Sequence, residues 1–106
     1  MELSLNVWQR IILARIIGAV HGDAQTVHKA VHLLDVLELS SQEKEEIGYQ
    51  ELPDGSARWE KVDARFDLEI DGNLGAFLVQ KAKEFQGWTV NKDVVELFGQ
   101  LGITEE

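Results

Sequence analysis

Arg65–Asp71, with the sequence RFDLEID, carries the clearest fold signal in the chain, because apolar and charged side chains alternate through it without a break. Such alternation is typical of a β-strand with one face on a core and the other in water. The pattern places Phe66, Leu68 and Ile70 on the inner face and the charged side chains on the outer one. Because helical patterns lie on both sides of this strand, we expect an α+β fold.

Three helices are predicted before this strand. The first, Asn6–Val20, has Asn6 as its N-cap and Gln9 in the capping-box position, and it is apolar on nearly all sides. We therefore expect it to be buried, either centrally in the domain or against a second subunit. A second helix, which Asp23 can cap, runs to about Leu37, and a short third one begins with Ser40 or Ser41 as its cap.

Turn and stop signals predict the remaining elements. Leu52–Gly55 is a strong turn signal, and a strand resumes at Ala57–Glu60, which together indicate a β-hairpin. After the 65–71 strand, one helix starts near Leu74 and can end at Gly87, and a last helix stops at Gly102. The predicted order is α-α-α-β-β-β-α-α. Residues 1–106 should thus form a single α+β domain, with a helical layer packed on a small three-stranded antiparallel sheet.

The charge of the chain is concentrated in its middle third. There are 19 acidic against 10 basic residues, for a net charge of −9, and ten of the acids lie between Ser40 and Asp71. Such acidity argues against binding to nucleic-acid phosphates. Two interpretations stay open, a solvated face that keeps the protein soluble and a functional surface, which either binds a basic protein partner or mimics nucleic-acid phosphates. The residues predicted for the binding surface are Glu43, Glu45, Glu46, Asp67, Glu69 and Asp71.

Several functional classes have no support in the sequence. The chain has no cysteine, which excludes disulfides and thiol chemistry, and it has no nucleophile elbow, phosphate-binding glycine loop or dinucleotide fingerprint. We therefore expect neither an enzyme nor a bound cofactor. The apolar stretches are too short for a membrane span, and Glu2 stands where a secretory signal needs positive charge. A cytoplasmic protein is the expectation.

Two groups of side chains have spacings that can suit metal ions. His28, His32 and Asp35 share one face of the second helix, where two imidazoles and a carboxylate could hold Zn²⁺. They lie on the flank of an apolar stripe, however, and the plainer interpretation is structural. Asp67, Glu69 and Asp71 resemble the start of a calcium loop, but Leu78 stands where the closing glutamate belongs. No metal site is predicted from either group.

The first helix also predicts a surface for self-association. Trp8 lies in its first turn, and tryptophan is enriched in protein interfaces. Together with Ile12 and Ile16, it is expected to contact a second copy of the chain, which makes a homo-oligomer the expectation. Trp59 and Trp88 are more economically explained as core residues.

The layout resembles a group of small, uncharacterised phage- or prophage-encoded proteins of similar length. The similar features are the capped apolar helix Asn6–Val20, the acidic helix start Ser41–Glu46, the pair Arg58-Trp59, and a closing helix anchored by Leu97, Phe98 and Leu101. No activity comes with this resemblance. It implies expression in the cytoplasm of a host cell and a non-enzymatic role.

The function expected from these features is a protein-interaction module that binds a partner through the acidic segment 40–71. A nucleic-acid binder of the winged-helix type is an alternative, because helices followed by a hairpin resemble that fold. The acids at the start of the third helix, which would be its recognition helix, argue against it. A structural or assembly protein of a virion is a third possibility, and it shares every sequence feature with the first.

Overall fold

The predicted strand at residues 65–71 is present, and its partner is a strand at the start of the chain. The computed structural model describes residues 1–61 and 64–103. Asp63, one of the acids of segment 40–71, lies outside the described residues. In order, the described elements are β1 (Glu2–Asn6), α1 (Val7–Gly18), α2 (Ala24–Leu37), α3 (Ser41–Ile47), β2 (Gln50–Glu51), β3 (Ala57–Arg58), β4 (Arg65–Glu69), α4 (Gly72–Glu84) and α5 (Lys92–Leu101).

The α+β class is confirmed, but the sheet differs from the prediction. Instead of one three-stranded sheet, the described residues form two sheets of two strands each. β1 pairs with β4 in antiparallel register, from Glu2 opposite Glu69 to Asn6 opposite Arg65. The hairpin of β2 and β3, with two residues in each strand, forms the second sheet by itself.

β1 also changes the predicted order, which began with a helix. Its burial alternates along the strand, with Leu3 and Leu5 fully covered, Ser4 and Asn6 half-buried and Glu2 exposed. Asn6 belongs to both elements, because it is the last strand residue and its side chain accepts a hydrogen bond from the Gln9 backbone N–H of α1. The strong cap signal at Asn6 concealed the short strand in front of it.

α1 lies centrally in the fold, which is one of the two positions expected for this helix. It packs against α2, α4 and α5, and β1 leads directly into it. The core around it combines side chains from both strands of the larger sheet and from four helices. Its fully covered members include Leu5, Leu13, Ile17, Leu33, Leu37, Ile70, Leu78 and Leu97.

The predicted stops hold for α2 and α5, whereas α1 ends at Gly18, short of the predicted Val20, and α4 also ends early. α2 ends at Leu37, and α5 ends before Gly102, whose backbone has φ 76° in the left-handed region. α4 stops at Glu84, before the predicted Gly87. A Cβ at Gly87 would stand 2.6 Å from the ring of Phe85, so this glycine serves close packing and is not the cap. No helix among the described residues is long and apolar enough to cross a membrane.

Candidate interaction surface

The outer face of the β1–β4 sheet carries exposed carboxylates from both strands. Strand alternation turns Leu3 and Leu5 inward and leaves Glu2 on the outer face, while β4 adds Asp67 and Glu69. We call Glu2, Asp67 and Glu69 the acidic sheet face. A groove of about 510 Å³ runs along it and is also lined by Ser4 and Gln100.

The hydrogen-bond pattern of the sheet places two of these acidic residues directly opposite each other. Met1 and Ile70 exchange both backbone hydrogen bonds, each 2.7 Å long, so they form a hydrogen-bonded pair. Because such pairs alternate along an antiparallel ladder, Glu2 and Glu69 form a non-hydrogen-bonded pair, in which side chains stand closest. Like charges directly opposite each other destabilise a sheet. The sheet therefore places two acidic residues directly opposite each other on its outer face.

Arg65 is the one base on this face within the described strands, and other groups already hold it. Its guanidinium donates to the Ser4 carbonyl at 2.7 Å and forms an ion pair with Glu96 of α5. The hydrogen bond from Arg65 lowers the pKa of Glu96 below its ordinary value. Because Glu96 takes up the charge of Arg65, the acidic sheet face keeps its anionic character.

Glu43 was predicted to belong to the acidic surface, but the structure places its carboxylate in an internal ion pair. One oxygen accepts from the Arg10 guanidinium at 2.7 Å, and the other accepts from the Ser40 backbone N–H in a capping box. Partial burial alone would raise the pKa of Glu43, but the hydrogen bonds from Arg10 and from Ser40 outweigh it and lower the pKa. Glu43 is thus used in holding the helices together.

The other residues predicted for the acidic surface fall into two groups, those that are exposed and those that have a structural role. Glu45 and Glu46 are exposed on α3. Asp71 is the N-cap of α4, where its side chain accepts from the Leu74 backbone N–H at 2.9 Å. The structure therefore brings Asp67 and Glu69 together and assigns Asp71 a role in starting a helix.

Neither of the two groups whose spacing can suit a metal ion is assembled as a site among the described residues. His28, His32 and Asp35 are exposed along α2. In residues 1–61 and 64–103, no three His, Cys, Asp or Glu side chains are placed so that they could hold a metal ion. Asp71 caps α4, whereas Asp67 and Glu69 lie on the strand β4.

The residues predicted for self-association are less exposed than the sequence suggested. Ile16 is 6% exposed and packs within the fold, so it is not accessible to a second copy. Trp8 and Ile12 are half-buried, and Ile12 packs against the core. Self-association through Trp8 and Ile12 stays a prediction. Trp59 and Trp88 are both half-buried, Trp59 stacked on Tyr49 and Trp88 against the core.

Sequence reasoning missed two residues that matter for this surface. Glu2 was missed because β1 was not predicted, although the alternation of Leu3 and Leu5 was a signal for it. Gln100 was missed because a polar residue on a helix gives no sign of its target. Its side-chain amide accepts from the Ser4 N–H at 2.7 Å and donates to the Ser4 carbonyl at 2.8 Å.

A second groove, of about 420 Å³, lies between α1 and the end of α2. Arg10, Arg15, Lys44 and Tyr49 contribute to its lining. Arg10 is ion-paired with Glu43, and the ammonium of Lys44 lies 5.2 Å from the centre of the Tyr49 ring. Two of the three cations are therefore already partnered, and the groove has little charge left for a ligand.

Comparisons with known proteins add no relative. No protein-family model, curated protein or solved structure matches this chain.

Proposed function

We propose that this protein is a non-enzymatic interaction module that binds a basic segment of a partner protein at the acidic sheet face. The observation that carries the proposal is the pair Glu2 and Glu69, which lie directly opposite each other and form no salt bridge with any described residue. Such a pair opposes folding, and a partner that supplies lysine or arginine side chains would relieve it.

The surface has the features that basic partners require. Its carboxylates are exposed, they lie along a groove, and the one nearby arginine is occupied by Glu96. The chain as a whole has a net charge of −9, which would speed encounter with a cationic partner. Glu43 and Asp71 are left out of the proposed surface because both have structural partners.

The nucleic-acid alternative has less support. The helix that would enter the groove of the duplex, α3, has only seven residues and exposes Glu45 and Glu46. Carboxylates at that position would repel phosphates. A role in virion assembly would use the same surface and differs only in the identity of the partner.

The proposal is tested by affinity capture with matched variants. Immobilised wild-type protein should retain a basic partner from a lysate of cells that produce it, and Glu2→Gln/Asp67→Asn/Glu69→Gln should lose that partner. The control, Glu45→Gln/Glu46→Gln, removes exposed charge from α3 and should retain it. If the sheet variant recovers the same partner as the wild type, the proposed function is wrong.

A further inference from the structure

The second edge of β4 has backbone groups available for another strand. Because Leu3 and Leu5 face Leu68 and Phe66 in hydrogen-bonded pairs, the N–H and C=O groups of Arg65, Asp67 and Glu69 point away from β1. Among the described residues, β4 pairs with β1 alone, and no hydrogen bond joins those outward groups to another described residue.

The opposite edge of the same sheet differs, because both outward backbone groups of its central residue, Ser4, are bound. At the outer edge of β1, the amide of Gln100 binds both the N–H and the carbonyl of Ser4, as a neighbouring strand would. Arg65 adds a further hydrogen bond to the same carbonyl. Unpaired strand edges are usually blocked in this way. The fold blocks one edge of the sheet and leaves the other accessible.

The inner face of β4 is also covered less well than that of β1. Leu3 and Leu5 are 2% and 0% exposed, whereas Phe66 and Leu68, which stand opposite them, are half-buried. A strand added beside β4 would place alternate side chains next to Phe66 and Leu68 and cover them. The other side chains of that strand would lie beside Asp67 and Glu69.

We propose that an extended partner segment, in which basic and apolar residues alternate, adds to the second edge of β4 as a third strand. This inference rests on the proposed function and specifies how the partner binds. The added strand would pair its backbone with Asp67 and Glu69, its apolar side chains with Phe66 and Leu68, and its cations with the acidic sheet face.

Charge selects this occupant over a second copy of the chain. A second β4 would bring its own Asp67 and Glu69 to a face that is already anionic, and carboxylates on an edge discourage pairing between like strands. The same carboxylates attract a strand that carries lysine or arginine. The edge therefore excludes copies of itself and accepts a basic segment.

The test uses a synthetic peptide of alternating lysine and valine, as long as β4. We expect it to bind the full chain and to slow hydrogen exchange at the amides of Asp67 and Glu69, measured by NMR. A control peptide of the same sequence is N-methylated at alternate residues, which removes the donors that face β4 and keeps every charge. We expect its affinity to fall at least about tenfold, since several backbone hydrogen bonds are lost.

The outcomes separate the binding mode from the function. If both peptides bind equally and the amides of Asp67 and Glu69 exchange as before, strand addition is overturned while binding through charge survives. If neither peptide binds, strand addition is overturned, and the capture experiment alone decides the proposed function. If the amides of Asp67 and Glu69 are protected in proportion to protein concentration without peptide, a second copy occupies the edge and the inference is wrong.

Discussion

At the scale of single residues, Arg10 is the side chain on which the helical packing depends most. It is 2% exposed, yet its guanidinium donates to the carbonyls of Val36, Leu37 and Glu38 at the end of α2 and to the Glu43 carboxylate. The last turn of α2 contains no basic residue of its own. Arg10 thus supplies from α1 the positive charge that a helix C-terminus favours.

Replacement of Arg10 by methionine should destabilise the protein severely. Arg10→Met keeps the approximate volume but leaves the carbonyls at the end of α2 and the Glu43 carboxylate without their donor. We expect a loss of about 3 kcal/mol in the free energy of unfolding, measured by urea denaturation. Arg15→Met is the control, because Arg15 is exposed on the same helix and should cost less than about 0.5 kcal/mol. Equal losses in the two variants would refute the role of Arg10.

The ion pair of Arg10 and Glu43 should also appear in the pH dependence of stability. The pKa of Glu43 is lower in the folded protein than its ordinary value. The pair therefore contributes fully above the ordinary glutamate pKa of about 4.3, and its contribution is lost as the pH falls through the lower, folded-state value. Glu43→Gln preserves the capping box but has no charge to titrate.

Comparison of the two proteins isolates this one carboxylate from the others. The difference in unfolding free energy between wild type and Glu43→Gln should be constant near neutral pH and shrink in acid. A difference that stays the same down to pH values well below the ordinary glutamate pKa would show that Glu43 is not ion-paired in solution.

At the scale of elements, the β1–β4 sheet depends on contacts distant in sequence. β1 and β4 are separated by most of the chain, and Gln100 of α5 then closes the free edge of β1. The first and last described elements are thereby joined through one side-chain amide. Docking of α5 and formation of β1 should consequently be coupled.

Removal of the Gln100 amide should loosen the start of the chain. Gln100→Ala leaves the half-buried Ser4 N–H and carbonyl without this partner, and we expect a loss of about 1–3 kcal/mol together with faster hydrogen exchange at Ser4. Gln80→Ala, at an exposed position of α4, is the matched control and should change neither quantity. Unchanged exchange at Ser4 in Gln100→Ala would contradict this account of the edge.

At the scale of the whole molecule, local patterns predicted the elements better than their arrangement. The alternation of Arg65–Asp71 and the caps at Asn6, Asp23 and Ser40 are local signals, and each corresponds to an observed element or helix start. Which strand pairs with β4 depends on contacts across the fold, which periodicity does not encode. For the same reason, the sequence could not show that Arg10 would capture Glu43.

The residues of the candidate surface show the same difference between local signals and contacts across the fold. Asp67 and Glu69 were predicted together because they alternate on one strand. Glu2 joins them only through the pairing of β1 with β4. Charge counting identified the acidic segment of the chain but could not separate carboxylates with internal partners from those that remain exposed.

Whether the acidic sheet face is kept for a partner is decided by the unfolding free energy of Glu2→Gln/Asp67→Asn/Glu69→Gln at low and high ionic strength. If the acidic sheet face is kept for a partner at the expense of folding, this variant should be more stable than wild type at low salt. The gain should be between a few tenths of a kcal/mol and about 1 kcal/mol and should shrink as salt screens the repulsion. A variant that is less stable than wild type would contradict the claim, because the carboxylates would then serve the fold itself.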